Sequence, residues 1–369
     1  MAPRRAHRPS SVIGRRLEAL RTKIQQKSLD GYLINSRVDQ YYATGFDGED
    51  GAVLILPRSV YLLTDGRFIQ AAAKEAPWAR AVIRKKSLVE TAAQLIRRRR
   101  LVRLGFNPGT MSLQQYRDLG KAIRGTRLVP MTAMVDDLRL LKDLSEVAAI
   151  EKAAEIAESA FLTVTRRLRI GMTERQVAAD LQWEMLRRGA SDVAFPLIVA
   201  EGPNASLPHA VPGDRRIRSG SLLLIDWGAT WSHYRSDLTR VVFIHKILPR
   251  FRRMYEHVLA AQAEGIRAIR PGVRMCDVDR RARGRLKAVG LDKKFTHGLG
   301  HGLGLDVHEA PRLAAKTKDA LKAGMVVTVE PGVYFPGLGG VRIEDDVLVT
   351  EDGCRVLTRL AKDLDSMVV

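Results

Sequence analysis

Four aliphatic residues in a row, Leu222–Ile225, end in a carboxylate at Asp226, and this stretch limits what the chain can fold into more than any other. A short apolar run without helical spacing reads as a strand buried on both faces. An acid at the end of such a strand must be protonated, hydrogen-bonded or paired with a cation. Asp237 follows eleven residues later, within Tyr234–Arg240. A hairpin centred between Trp231 and Ser232 predicts that Asp226 and Asp237 sit opposite each other, with Cβ atoms about 5 Å apart. Two carboxylates so placed repel unless a proton or a cation lies between them.

The pattern recurs near the C-terminus. Met325–Val329 runs into Glu330–Pro331–Gly332, and Val341–Glu344 returns after a Pro/Gly-rich turn, so that Glu330 and Glu344 are equidistant from Gly337 and form a second cross-strand pair. Between the two hairpins lie three of the chain's eight histidines, His297, His301 and His308, with glycines at 298, 300, 302 and 304 that favour an extended or turning backbone. Four carboxylates and one imidazole make an oxygen-rich site with room for two divalent cations about 3.5–4 Å apart. A thiolate-free, carboxylate-dominated donor set suits Mn²⁺ best, with Co²⁺, Fe²⁺ or Zn²⁺ also compatible.

Composition narrows the remaining choices. Two cysteines, Cys276 and Cys354, exclude a disulfide framework and a Cys-rich zinc site, which makes the cytoplasm the expected location. No window of eighteen apolar residues exists, so no membrane span is expected. The formal net charge is +20, and residues 1–130 carry 25 basic against 10 acidic side chains. Such a field favours nucleic acid or another polyanion non-specifically, with Arg97–Arg100 the densest cluster, placed where a helix C-terminus welcomes cations. The Arg-rich start reads as a short disordered basic tail, faintly like a transit peptide but without the apolar core of a secretory signal.

An α/β protein of two domains is expected. After a basic tail over 1–11, residues 12–130 alternate helical and extended patterns, with strands at 31–35, 81–84 and 102–106 and a hairpin of 52–56 with 60–64. A linker at 131–145 leads into a long helix with Asp143 or Ser145 available as N-cap, which opens a larger α+β domain over 146–369. Thr173–Gln176 is a capping box for its second helix.

At IDWGA (225–229), SDLTR (236–240), HGLGHGLGLDVHE (297–309), VEPGVY (329–334) and VRIEDDVLVT (341–350) the chain resembles the pita-bread-fold metallopeptidases, in the Xaa-Pro aminopeptidase and Xaa-Pro dipeptidase (prolidase) branch. The resemblance spans about 138–369, and more loosely the front part, which is similar to a creatinase/prolidase N-terminal domain. It implies Asp226 as ligand of one metal, Asp237 and Glu344 as bridging carboxylates, and His301 with Glu330 as ligands of the second. It implies further that His209 and His308 contact the scissile peptide, and that His297 and Arg342 are substrate-side or supporting groups. The reaction implied is hydrolysis of the bond between an N-terminal residue and a following proline by a metal-bridging hydroxide, with Glu330 relaying its proton. A homodimer or higher homo-oligomer is the family's habit. The competing reading is a nucleic-acid- or ribosome-associated relative with little or no peptidase activity. Trp227, where relatives often have Phe, and Ala310, where Gly is frequent, depart from the family's pattern and leave pocket shape open.

Overall fold

Local sequence sets the elements of the first part of the chain directly. Ser10, Ser36, Ser87 and Ser112 each cap a helix by accepting a backbone N–H, and the Ser87 and Ser112 helices add the reciprocal glutamate or glutamine bond. The structure, a computed structural model, describes residues 10–369, so the basic tail expected over 1–11 lies almost wholly outside the described residues. Those residues fall into two compact units that divide between Arg139 and Leu140, inside the stretch read as a linker.

The first unit is built on a mixed six-stranded sheet. In spatial order its strands are Arg80–Ile83, Ser59–Thr64, Gly51–Leu56, Gly31–Ile34, Arg103–Phe106 and Arg127–Pro130. The central hairpin turns at Pro57–Arg58, and the outer neighbours pair in parallel. Helix Arg37–Thr44 was not expected. Its buried positions mix Asp39, Gln40 and Thr44 with Tyr42 and Ala43, so only two adjacent apolar residues mark it in sequence; Asp39 is held by Arg139 at 3.0 Å and Gln40 by the Gly48 carbonyl at 3.0 Å.

The second unit begins with helix Leu144–Thr165, whose N-cap is Asp143 with Glu146 completing the box. This helix and Glu174–Arg187 cover the antiparallel sheet Leu238–Phe243, Leu222–Trp227, Ile198–Glu201. A five-stranded sheet follows, in the order Glu309–Leu313, Gly300–Gly302, Val326–Val329, Asp345–Val349, Cys354–Val356. Helices Pro249–Ala268 and Met275–Lys287 pack on it. A single bridge, Thr239 with Glu344, joins the two sheets, and the site is built around it.

Candidate metal centre

The first hairpin differs from the expected register. Trp231 pairs with Tyr234 and Asp226 with Thr239, so the turn lies at Ser232–His233, one position later than expected. Both turn residues adopt positive φ (48° and 70°), the geometry of a two-residue hairpin turn, but neither is the glycine or asparagine that signals it in sequence. Asp237 is therefore a diagonal neighbour of Asp226 on the same face, not its direct partner. The second hairpin keeps the expected register: Val329 pairs with Asp345 and Gly332 with Arg342, which leaves Glu330 and Glu344 facing each other across the break between the two ladders.

Strand Gly300–Gly302 supplies the imidazole. A side chain at Gly300 would collide with the Thr328 carbonyl and one at Gly302 with the Ala310 carbonyl, so glycine at both positions lets His301 approach the acids. Its Nδ1 donates to the Gly302 carbonyl at 3.1 Å, which leaves the Nε2 lone pair facing Glu330 Oε1 at 3.4 Å and Asp237 Oδ2 at 3.7 Å. Donor atoms of Asp237, His301 and Glu344 all lie within 4.8 Å of one another.

A buried scaffold fixes these groups. Arg240, fully buried, donates to the Thr239 carbonyl (3.0 Å), the Glu344 carbonyl (2.6 Å) and Asp345 Oδ1 (2.8 Å), fastening the two sheets at the bridge. Thr239 Oγ1 donates to Glu344 Oε2 at 2.5 Å and accepts from Arg342 Nε at 3.0 Å. Asp346 accepts the backbone N–H of Asp237 at 3.1 Å. His297 Nε2 and Arg342 Nη1 both meet Tyr334 Oη at 2.9 Å, and Arg342 also pairs with Asp226 Oδ2.

Charge at this floor is unbalanced. Three buried carboxylates, of Asp226, Asp237 and Glu344, and the half-buried one of Glu330 face the guanidinium of Arg342. Burial, then repulsion from Glu344, pushes Asp237 well above the ordinary carboxylate range; burial, then Glu330, does the same to Glu344. Burial raises Glu330 to about 8 against the pull of Arg342. Asp226 is raised by burial despite Arg342, and its Oδ1 is buried without a hydrogen-bond partner. Burial lowers His297 and His301 to about 4, which keeps both rings neutral at pH 7. Converging carboxylates, an orphaned oxygen and a neutral imidazole with a free lone pair fit divalent cations.

The floor opens into a cleft of about 800 Å³. His209 and His308 line it, the His308 ring 4.4 Å from that of His301, and burial with the nearby Arg312 charge holds His308 below its ordinary pKa. Phe195, Pro196, Val211 and Pro212 form apolar walls. Trp227 does not reach the cleft: it stacks on Phe161 at 4.5 Å and its indole donates to the Ala157 carbonyl at 2.9 Å. Sequence reasoning missed Thr239, Tyr334 and Arg312. The correct turn position would have exposed Thr239 as the residue opposite Asp226, whereas Tyr334 and Arg312 carry no local signal.

Residues 148–351 match the family model described as metallopeptidase family M24. The chain belongs to this family. Residues 16–141 of this M24 metallopeptidase match the creatinase/prolidase N-terminal domain. The chain is 36% identical over 349 residues to a Pyrococcus furiosus protein named Xaa-Pro dipeptidase, covering 95% of this chain and 99% of the relative. Among solved structures, an Xaa-Pro dipeptidase from Bacillus anthracis superposes with a TM-score of 0.93 at 34% identity, covering 97% of this chain and 100% of that one. An X-Pro aminopeptidase from Thermotoga maritima gives 0.89 at 32% identity, covering 94% and 100%. The M24 pita-bread fold thus carries both named activities. No helix among the described residues is long and apolar enough to cross a membrane.

Proposed function

We propose that this M24 metallopeptidase is an Xaa-Pro exopeptidase that holds two divalent cations: Asp226 on one, Asp237 and Glu344 shared, His301 and Glu330 on the other. The observation that carries the reading is the floor of four carboxylates, three of them buried and Glu330 half-buried, beside the Arg342 guanidinium, with the His301 Nε2 lone pair aimed into it. Cations held by these residues would supply Lewis acidity and a lowered pKa for the attacking water. Glu330, ionised once the cations are held, accepts a proton from the attacking water and returns it to the departing proline nitrogen. His308 and His209, on the cleft wall, donate to the scissile carbonyl as its oxygen gains charge. His297 orients Tyr334, which with Arg342 holds Asp226 in place.

Proline specificity follows from what the bond lacks. An Xaa-Pro amide offers no N–H, so recognition rests on ring shape and the carbonyl, and the apolar wall of Phe195, Pro196, Val211 and Pro212 suits the ring. Arg312, also on the cleft wall, meets a free substrate carboxylate, which favours a dipeptide. Mn²⁺ is the metal the oxygen-rich donor set suits best, with Co²⁺, Fe²⁺ or Zn²⁺ as substitutes. The two free cysteines, Cys276 and Cys354, suit a reducing cytoplasm. We infer a homodimer or higher homo-oligomer from the family alone.

The competing reading of a binding protein without peptidase activity is not favoured, since the similar proteins are named as peptidases. An added polyanion-binding role keeps support in the first unit. Arg97 donates to the Ala122 carbonyl at the end of helix Leu113–Ala122, Arg103 and Arg127 are register partners on neighbouring strands, and among the described residues none of Arg97–Arg100, Arg103, Lys121, Arg124 and Arg127 forms an ion pair. The decisive experiment is release of the N-terminal residue from an Xaa-Pro dipeptide and an Xaa-Pro-Yaa tripeptide by chelated protein with and without Mn²⁺. Metal-dependent cleavage of the dipeptide alone makes the protein a prolidase and cleavage of both an aminopeptidase; cleavage of neither overturns the reading.

A further inference from the structure

The segment that carries His209 is held from two sides. On one side it lies against strand Gly339–Arg342: a side chain at Gly340 would collide with the Ala205 carbonyl, and Arg342 Nη1 donates to the Pro208 carbonyl at 3.4 Å. On the other side its contacts converge on Glu174, which has no exposed surface. Glu174 Oε1 accepts the backbone N–H of Glu201 at 2.7 Å and Asn204 Nδ2 at 2.9 Å, while Oε2 accepts the backbone N–H of Gly213 at 3.0 Å. One carboxylate thus ties both ends of the loop 202–212, with His209 between them.

Two simpler roles for Glu174 do not account for it. Helix Glu174–Arg187 is already capped: Thr173 accepts the Gln176 N–H at 3.1 Å and Gln176 returns a bond to Thr173 at 2.8 Å. Among the described residues no lysine or arginine pairs with Glu174, and the nearby Arg215 is committed to Glu201 at 2.5 Å. A buried carboxylate without a counter-cation is costly unless donors satisfy it, and here every donor belongs to the loop or its edges.

We propose that Glu174 is a positioning residue for His209, clamping the loop so that the imidazole faces the carboxylate floor. This rests on the reading that His209 contacts the scissile peptide. In the full-length Mn²⁺-loaded protein, Glu174→Ala leaves metal content unchanged and lowers kcat on an Xaa-Pro dipeptide by about 10–100-fold, the scale of a misplaced catalytic group. Glu174→Gln falls between, because one amide oxygen can still hold one end of the loop. In a His209→Ala background, Glu174→Ala adds less than about twofold, since the two residues act through one group. An undiminished loss in that background overturns the proposal. Should His209→Ala alone leave kcat intact, the reading of His209 fails separately, and hydrogen exchange over 202–212 decides the clamp: faster exchange in Glu174→Ala supports it, unchanged exchange overturns it. If Glu174→Ala does not fold, Asn204→Ala, which removes one donor, is measured with the same expectations.

Discussion

Removing divalent cations should make this protein less stable as pH rises above 6.5. Glu330 sits at about 8 in the metal-free fold against an ordinary 4.5, and Asp237 and Glu344 are raised as well. A carboxyl raised on folding contributes stability that is complete below its unfolded pKa and is lost as pH climbs through the folded one. His297 and His301, lowered to about 4 from 6.5, act with the opposite sign, but their contribution is complete above pH 6.5. Between pH 6.5 and 8 only the carboxyls remain. Glu330 alone, retaining most of one proton until pH nears 8, costs somewhat under about 2 kcal/mol at about 1.4 kcal/mol per pH unit. For a unit of this size that lowers Tm by about 4–8 °C. Metal-loaded protein, with its ligands ionised throughout, lacks this slope. Differential scanning calorimetry of chelated and Mn²⁺-loaded protein at half-unit steps of pH measures both. A chelated Tm that is flat or rises across the window refutes the reasoning.

Substitution separates ligation from substrate contact: Asp237→Ala or Glu344→Ala should remove activity and bound metal together, whereas His308→Ala should keep the metal and lose most turnover, as read by elemental analysis beside peptide cleavage. Gly300→Ala forces a methyl into the Thr328 carbonyl and shifts His301, so urea denaturation should show a loss of about 1–3 kcal/mol together with weaker metal binding. Trp227→Ala empties a site stacked on Phe161 and should cost about 3–5 kcal/mol by the same assay, with metal stoichiometry kept in the protein that remains folded. Replacing Arg97, Arg98, Arg124 and Arg127 by Ser should flatten the salt dependence of RNA retention on filters and leave dipeptide cleavage unchanged; an unaltered salt slope removes the added role.

Much of the centre was legible because strand register is arithmetic. Glu330 and Glu344 were placed correctly from their equal distance to Gly337, since glycines and proline mark that turn. Asp226 and Asp237 were brought to one face but misaligned, because Ser232 and His233 take left-handed backbone that their residue types do not announce. Helix Arg37–Thr44 escaped notice for a related reason: beside Tyr42 and Ala43 it buries Asp39 and Gln40, satisfied by Arg139 and a carbonyl, and two adjacent apolar residues make no hydrophobic period. The apolar wall, Tyr334 and Arg312 depend on segments far apart in sequence meeting at one cleft, and Glu174 was read as part of a helix start when its carboxylate in fact holds a loop 27 to 39 residues away.

Titration of chelated protein with Mn²⁺ while an Xaa-Pro dipeptide is cleaved tests the two-cation peptidase most directly. Activity should be absent without metal and reach its plateau at two equivalents per chain. Cleavage that persists in fully chelated protein, or no cleavage with two cations bound, contradicts it.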